Sequence, residues 1–279
     1  MRAAGRSRPG GVTSFVAERG AGEPVVCLHG VPASAFLYRK VLDELAARGL
    51  RGIAFDLPGL GLADRPAGFD YSWTGLGRFA AAAVDTLGLE RFHLVVHDVG
   101  GPVGFELASA LPDRIASLMI LNTIIEVDTF RRPWSMEPFA RRSVGEAYLR
   151  TLSKPAFRVL MRLQGIGDMS AVRRDELDAY VDLLRRGDGG RAFLRIMRGF
   201  ERTPAKQALY LAAAGSDAYP VGVLWGRDDP ALKASTFGEI ARRAAGLDRL
   251  DTVPARHFLQ EDQAPAVAER VAELAASAG

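Results

Sequence analysis

The chain has 279 residues, enough to bury one sizeable core, and its 48% hydrophobic and 25% charged content is ordinary for a soluble globular protein. Basic residues exceed acidic ones only by 36 to 33, and the signs alternate along the chain, so no clustered basic stripe points to a nucleic-acid partner. Cys27 is the only cysteine, which excludes an intramolecular disulfide and a thiolate metal cluster, and no apolar run approaches the length of a membrane span.

In chain order, residues 1–11 are basic and glycine-rich without an apolar signal core, and read as a solvated, flexible tail of a cytoplasmic protein. Short β-branched runs then alternate with longer amphipathic stretches, the pattern of a mostly parallel sheet covered by helices. Strands are expected at Val12–Glu18 and Pro24–Leu28, and a helix at Ala35–Arg48, where Leu37, Val41, Leu42 and Leu45 recur at helical spacing. The next strand is Gly52–Asp56, followed by a turn-rich loop, a helix at Trp73–Leu87 and an apolar strand at Phe92–Val96. A helix at Val103–Leu111 and a strand at Ile115–Leu121 complete the first half.

The alternation then stops. Residues 126–215 read as helical and arginine-rich, with no convincing strand, before Tyr219–Trp225, Arg249–Val253 and a final helix at Pro265–Ala276 restore it. The expectation is an eight-stranded core over residues 12–125 and 216–279, with 126–215 as a helical cap over the carboxyl ends of the strands, where open α/β sheets bind ligands.

The chemistry begins with Val96-His97-Asp98-Val99-Gly100-Gly101, between an apolar strand and a helix. A nucleophile elbow is a strained strand-to-helix turn that exposes one side chain between small neighbours. Gly100 and Gly101 give that room, although Val96 stands where a small residue is usual. An aspartate that only caps the helix is the plain alternative, and the remaining motifs decide against it. His29-Gly30-Val31-Pro32 ends an earlier strand, so the backbone amides of Val31 and Val99 are the expected oxyanion donors. His29 itself reads as a histidine that orders the loop. The acidic turn Trp225-Gly226-Arg227-Asp228-Asp229-Pro230 and then His257 follow, in the nucleophile, acid, histidine order of this architecture.

Together with Phe55-Asp56-Leu57-Pro58-Gly59-Leu60-Gly61 and His257-Phe258-Leu259-Gln260-Glu261-Asp262, these blocks resemble the haloalkane dehalogenase and epoxide hydrolase branch of the α/β-hydrolase superfamily, most closely its dehalogenase side. The resemblance implies Asp98 as nucleophile, His257 as base and Asp229 as the orienting acid. Asp228 is then a turn residue. Some relatives place the acid after the preceding core strand, where this sequence has Asn122, and Glu126, four residues later, is the other candidate acid. It implies a covalent alkyl ester on Asp98, hydrolysed by water that His257 activates, with no metal or organic cofactor and a small or medium apolar molecule as substrate.

Characterised dehalogenases of this branch usually carry tryptophan after the nucleophile to hold the halide. Val99 has no such donor, so weak turnover of simple chloroalkanes is expected. Trp134 is the one tryptophan near the cap entrance, while Trp73 and Trp225 read as packing residues. The alternative, an epoxide hydrolase, needs cap tyrosines, for which Tyr148 and Tyr180 are the candidates. His29 and Phe258 complete the expected pocket. A non-catalytic ligand-binding protein or a lyase is the remaining class, since fold alone does not fix activity.

Overall fold

The computed structural model describes residues 5–278. Eight strands pair in the order β1-β2-β4-β3-β5-β6-β7-β8: β1 Gly5–Ser7, β2 Ser14–Arg19, β3 Pro24–Leu28, β4 Arg51–Phe55, β5 Phe92–Asp98, β6 Ile115–Thr123, β7 Val221–Gly226 and β8 Asp251–Val253. The two pairings at the β1 edge are antiparallel and all others are parallel.

Side chains alternate across the sheet with the two-residue period of a strand. Val26, Leu28, Leu94 and Val96 pack on one face beside helices α2 (Trp73–Thr86) and α3 (Gly100–Ala110). Val25, Cys27 and Val95 pack on the other, against α1 (Arg39–Ala47) and the C-terminal helix Ala264–Ala276. Both faces are therefore covered, which is why the central strands are apolar throughout.

The first eleven residues correct the expectation of a flexible tail. Residues 1–4 lie outside the described residues, but Gly5–Ser7 pairs antiparallel with β2 and Pro9 is buried. An edge strand needs only backbone partners along one side, and charged residues there block further pairing. Polarity was thus the mark of an edge and not of disorder. This strand is the eighth, which the apolar pattern did not locate.

Between β6 and β7, the described residues 126–215 contain helices and no strand: α4 Glu137–Ala140, α5 Val144–Thr151, α6 Lys154–Leu160, α7 Arg174–Arg185, α8 Arg191–Arg198 and α9 Pro204–Ala214. A π-turn at Met161–Gly165 follows α6. Helix α9 is capped by Thr203, whose hydroxyl accepts from the Lys206 amide, and it packs on α3 through Tyr210 and Phe105, 5.6 Å between ring centres. The expected boundary at 215 therefore falls after a helix that belongs to the layer over the sheet. Trp73 and Trp225 are fully buried in the core, as packing residues are.

Candidate active site

Asp98 ends β5 with φ of 52°, a left-handed conformation that a non-glycine residue adopts only under local constraint. The turn is pinned from β6, where the Thr123 hydroxyl donates to the Asp98 carbonyl at 2.5 Å. Room for Val96 comes from α3: a Cβ on Gly104 would lie 2.3 Å from its Cγ1, so the glycine replaces the small residue missing at position 96. After β3, the Val31 amide donates to Asp98 Oδ1 at 2.7 Å. The same approach forces glycine at position 30, whose Cβ would meet that oxygen at 2.2 Å.

The loop after β8 carries His257. Its Nδ1 lies 2.8 Å from Asp229 Oδ2, so Nδ1 bears the proton donated to that carboxylate. Its Nε2 faces Asp98 Oδ2 at 3.4 Å, an ion-pair separation longer than a short hydrogen bond. Asp229 is held in turn. Its Oδ1 accepts from the Ala231 and Leu232 amides at 2.8 and 2.9 Å, and its Oδ2 also accepts from Asn122 Nδ2 at 2.7 Å. Asn122 is fixed by the Gly226 amide, which donates to its Oδ1 at 2.8 Å. Burial favours a protonated Asp229, but His257, Asn122 and the Leu232 amide outweigh it and keep the carboxyl below its ordinary range.

The same balance sets the other two groups. Burial pushes the Asp98 carboxyl up, while His257, His97 and the Val31 amide bring it below the usual value. Burial works against a charged His257, yet Asp229 and Asp98 raise it to about 10. Both carboxylates therefore favour the protonated form of the imidazole that lies between them.

The other two histidines near the elbow are neutral. Burial lowers His97 to about 3, and its Nε2–H donates to the His257 carbonyl at 2.8 Å. His29 is lowered by burial to about 4. Its Nδ1–H donates to Gly30 O at 2.9 Å and its Nε2 accepts from the Leu57 amide at 3.0 Å. Both nitrogens are used within the loop.

Asp98 and His257 open into a cavity whose far wall comes from residues 124–200. That wall is largely apolar, with Phe130, Phe139, Leu152, Phe157, Leu160, Phe193 and Phe200 among its side chains. Arg132, Ser135 and Gln164 are its polar exceptions, with Ser135 Oγ donating to Gln164 Oε1 at 2.9 Å.

A family model for the alpha/beta hydrolase fold matches residues 23–264. The chain belongs to that family. It is 31% identical over 258 residues to a haloalkane dehalogenase of Mycolicibacterium paratuberculosis, covering 90% of this chain and 82% of the relative. Among solved structures it superposes on Cfl2 of Burkholderia cenocepacia with a TM-score of 0.82 at 22% identity, covering 97% and 94% of the two chains. The epoxide hydrolase VrEH1 of Vigna radiata gives 0.78 at 20% identity, covering 98% and 97%. The chain is a hydrolase of the α/β-hydrolase fold.

Within this family frame the expected residues divide. Asp98, His257, Asp229 and the Val31 amide converge, and Val99, Tyr148 and Phe258 line the cavity. The Val99 amide is not among the donors to the Asp98 carboxylate. Three pocket expectations are corrected. His29 lies behind the loop with both ring nitrogens occupied. Trp134 is 77% exposed and outside the cavity wall, because its neighbours Arg132 and Ser135 turn inward instead. Tyr180 is buried away from the cavity and its hydroxyl donates to Glu261 at 2.5 Å. Glu126 makes no bond to His257, and Asp228 is a half-exposed turn residue beside Arg227. Asn122 stands at the alternative acid position after the preceding core strand, and here its amide donates to Asp229 instead. The signal for that role was there, a buried amide at the end of an apolar strand in a chain whose acid comes from the next strand.

No helix among the described residues is long and apolar enough to cross a membrane, and no cluster of three His, Cys, Asp or Glu side chains among them is arranged to hold a metal ion.

Proposed function

We propose that Asp98 is a nucleophile that displaces a leaving group from a saturated carbon, haloalkane dehalogenase-like, in a cytoplasmic enzyme that needs no cofactor. The observation that carries this reading is an ionised carboxylate on a strained elbow, with one oxygen held by a backbone amide and the other facing a histidine. A carboxylate needs no base to attack. A serine would.

Oδ1 is committed to the Val31 amide, so Oδ2 attacks. The carbon–halogen bond breaks with its electron pair on the halide, and an alkyl ester of Asp98 forms. Esterification removes the Asp98 charge, one of the two that raise His257, so the imidazole loses its proton more readily and becomes a base when one is required. It then takes a proton from water, which adds to the Asp98 carbonyl carbon. The oxyanion forms on Oδ1, against the Val31 amide. Collapse expels the alkoxide, which recovers a proton from His257, and the Asp98 carboxylic acid so formed passes its own proton to the neutral imidazole, restoring the carboxylate. Asp229 holds the imidazole in the required tautomer throughout.

The leaving halide needs N–H donors, and Val99 has none in its side chain. We assign that task to Gln164, whose Oε1 is occupied by Ser135, which leaves Nε2 as an amide donor on the wall. The segment before α9, residues 126–203, acts as a cap that excludes water from this exchange. An epoxide substrate is the second reading, supported by Tyr148, which lies in the wall and would protonate the opening ring.

Replacing His257 with Phe tests the mechanism on a panel of bromoalkanes and terminal epoxides. Ester formation should persist while hydrolysis slows by about 10²–10⁴-fold or more, so an alkyl adduct accumulates on the peptide containing Asp98. Single turnover of the unaltered enzyme in heavy-oxygen water should label Asp98. Labelled product beside an unlabelled Asp98 would mean that water attacks the substrate directly, and the nucleophile would be wrongly assigned.

A further inference from the structure

We propose that Arg132 receives a carboxylate on the substrate, at the end away from the reacting carbon. This names the substrate class for the function above: an alkyl halide or epoxide carrying a distal anionic group. The chemistry rests on that function, but the binding does not.

The Arg132 side chain is 7% exposed and lines the cavity that holds Asp98 and His257. A guanidinium has five N–H donors and stays charged in a protein. Here it makes one hydrogen bond, from Nη2 to the Met197 carbonyl at 2.7 Å. Nε is buried with no partner. The nearest carboxylate, Glu137, is 3.8 Å from Nη1, beyond hydrogen-bond reach, and its side chain is 42% exposed. Burial disfavours the charge, and the field of Arg202 adds to that. Buried cations in native proteins are paired and hydrogen-bonded, whereas among the described residues this one has only the half-exposed Glu137 at a loose ion-pair distance and no carboxylate within hydrogen-bond reach.

The guanidinium carbon sits over the ring of Phe200, 4.3 Å from its centre, a cation–π contact that helps hold the group in place. A planar fork held in that way suits a carboxylate, which takes two parallel N–H bonds. Asp98 repels a second anion, so the carboxylate must stand off from the reacting end. The stretch between them is the part that Phe130, Phe139 and Phe193 would cover.

Calorimetry with hexanoate and hexan-1-ol on the unaltered protein tests the binding without any turnover. Hexanoate should bind about 30-fold tighter or more, the range set by unpairing a buried charge. Equal binding overturns the proposal. In Arg132→Gln the preference should vanish, and in Arg132→Lys part of it should remain. A preference that survives in folded Arg132→Gln would place the carboxylate on another cation, His257 foremost, and also overturns it. Should Arg132→Gln not fold, the unaltered protein and Arg132→Lys decide. Bromide release from 6-bromohexanoate against 6-bromohexan-1-ol then carries the test to the reaction, with the same ratio expected in kcat/KM. Failure to find an adduct on Asp98, with hexanoate binding intact, would sink the proposed mechanism and leave this inference standing.

Discussion

Asp98 and Arg132 border the same cavity, one at the end of β5 and the other in the helical segment after β6, and their surroundings differ in kind. At the sheet edge each acid is held by named donors: the Val31 amide on Asp98, and Asn122, His257 and two backbone amides on Asp229. On the helical side Arg132 keeps one hydrogen bond and an orphaned Nε. The first arrangement is complete before any ligand arrives, as electrostatic preorganisation requires. The second leaves a charge for a ligand to complete. On the proposed mechanism the edge would fix the reaction, and the helical wall would fix what may undergo it.

The difference predicts where a single methyl group does most harm. Alanine at position 30 would place its Cβ 2.2 Å from Asp98 Oδ1 and 2.4 Å from Asp98 Cβ. Either the Val31 loop or the nucleophile must move, and a displacement near 1 Å in a reacting group costs on the order of 10²-fold. Gly30→Ala should therefore lower the rate of ester formation by about that factor, read in single turnover. Ester formation at the unaltered rate would show that the edge is less rigid than its contacts indicate.

A smaller effect is expected one step further back, at Asn122. Asp98 sits below its ordinary value and His257 is raised to about 10, so ester formation should be flat across neutral pH and persist into mild acid. Hydrolysis needs the neutral imidazole of the ester state and should rise with pH up to that state's lower His257 value. Asn122→Ala strips a donor from Asp229 Oδ2, which makes the carboxylate more basic and its hold on the imidazolium stronger. The hydrolysis limb should then move to higher pH by up to about one unit, which below the limb is a loss of about tenfold. Stopped-flow measurement of both steps across pH checks the sign. A limb moving to lower pH would show that Asn122 supports the base in some other way.

How far these parts were legible follows the same division. β3 runs over Pro24–Leu28 as the apolar pattern expects, and the elbow, the Val31 loop and His257 stand where motif spacing put them. Local backbone constraints write themselves into short stretches, since a strained turn beside a close approach needs glycine within a residue or two. The wall is different. Tyr180 and Tyr148 both look like cap tyrosines in sequence, but α7 turns Tyr180 onto Glu261 while Tyr148 reaches the cavity. Arg132 and Trp134 are two positions apart, and only the fold decides that the cation goes in and the indole out. β1 was read as a tail because an edge strand carries no apolar signature.

The smallest effect should come from the wall itself. Leu160 ends α6, lines the cavity and is only half-buried, so it adds little to the core. Leu160→Ala removes apolar contact from the substrate and leaves Asp98, His257 and Asp229 untouched. Where contact with a non-reacting part of the substrate is felt equally in the ground and transition states, its loss appears in KM and not in kcat. One methylene in an apolar pocket is worth about 1–3 kcal/mol, or roughly 10–200-fold, when fully enclosed. At a half-exposed position about 3–10-fold in KM is the expected size, with kcat and the melting temperature nearly unchanged. Steady-state kinetics beside a thermal melt would separate the cases. A kcat loss comparable to that of Gly30→Ala would mean that the helical wall takes part in positioning the nucleophile, and the two sides of the cavity would no longer be distinct in what they do.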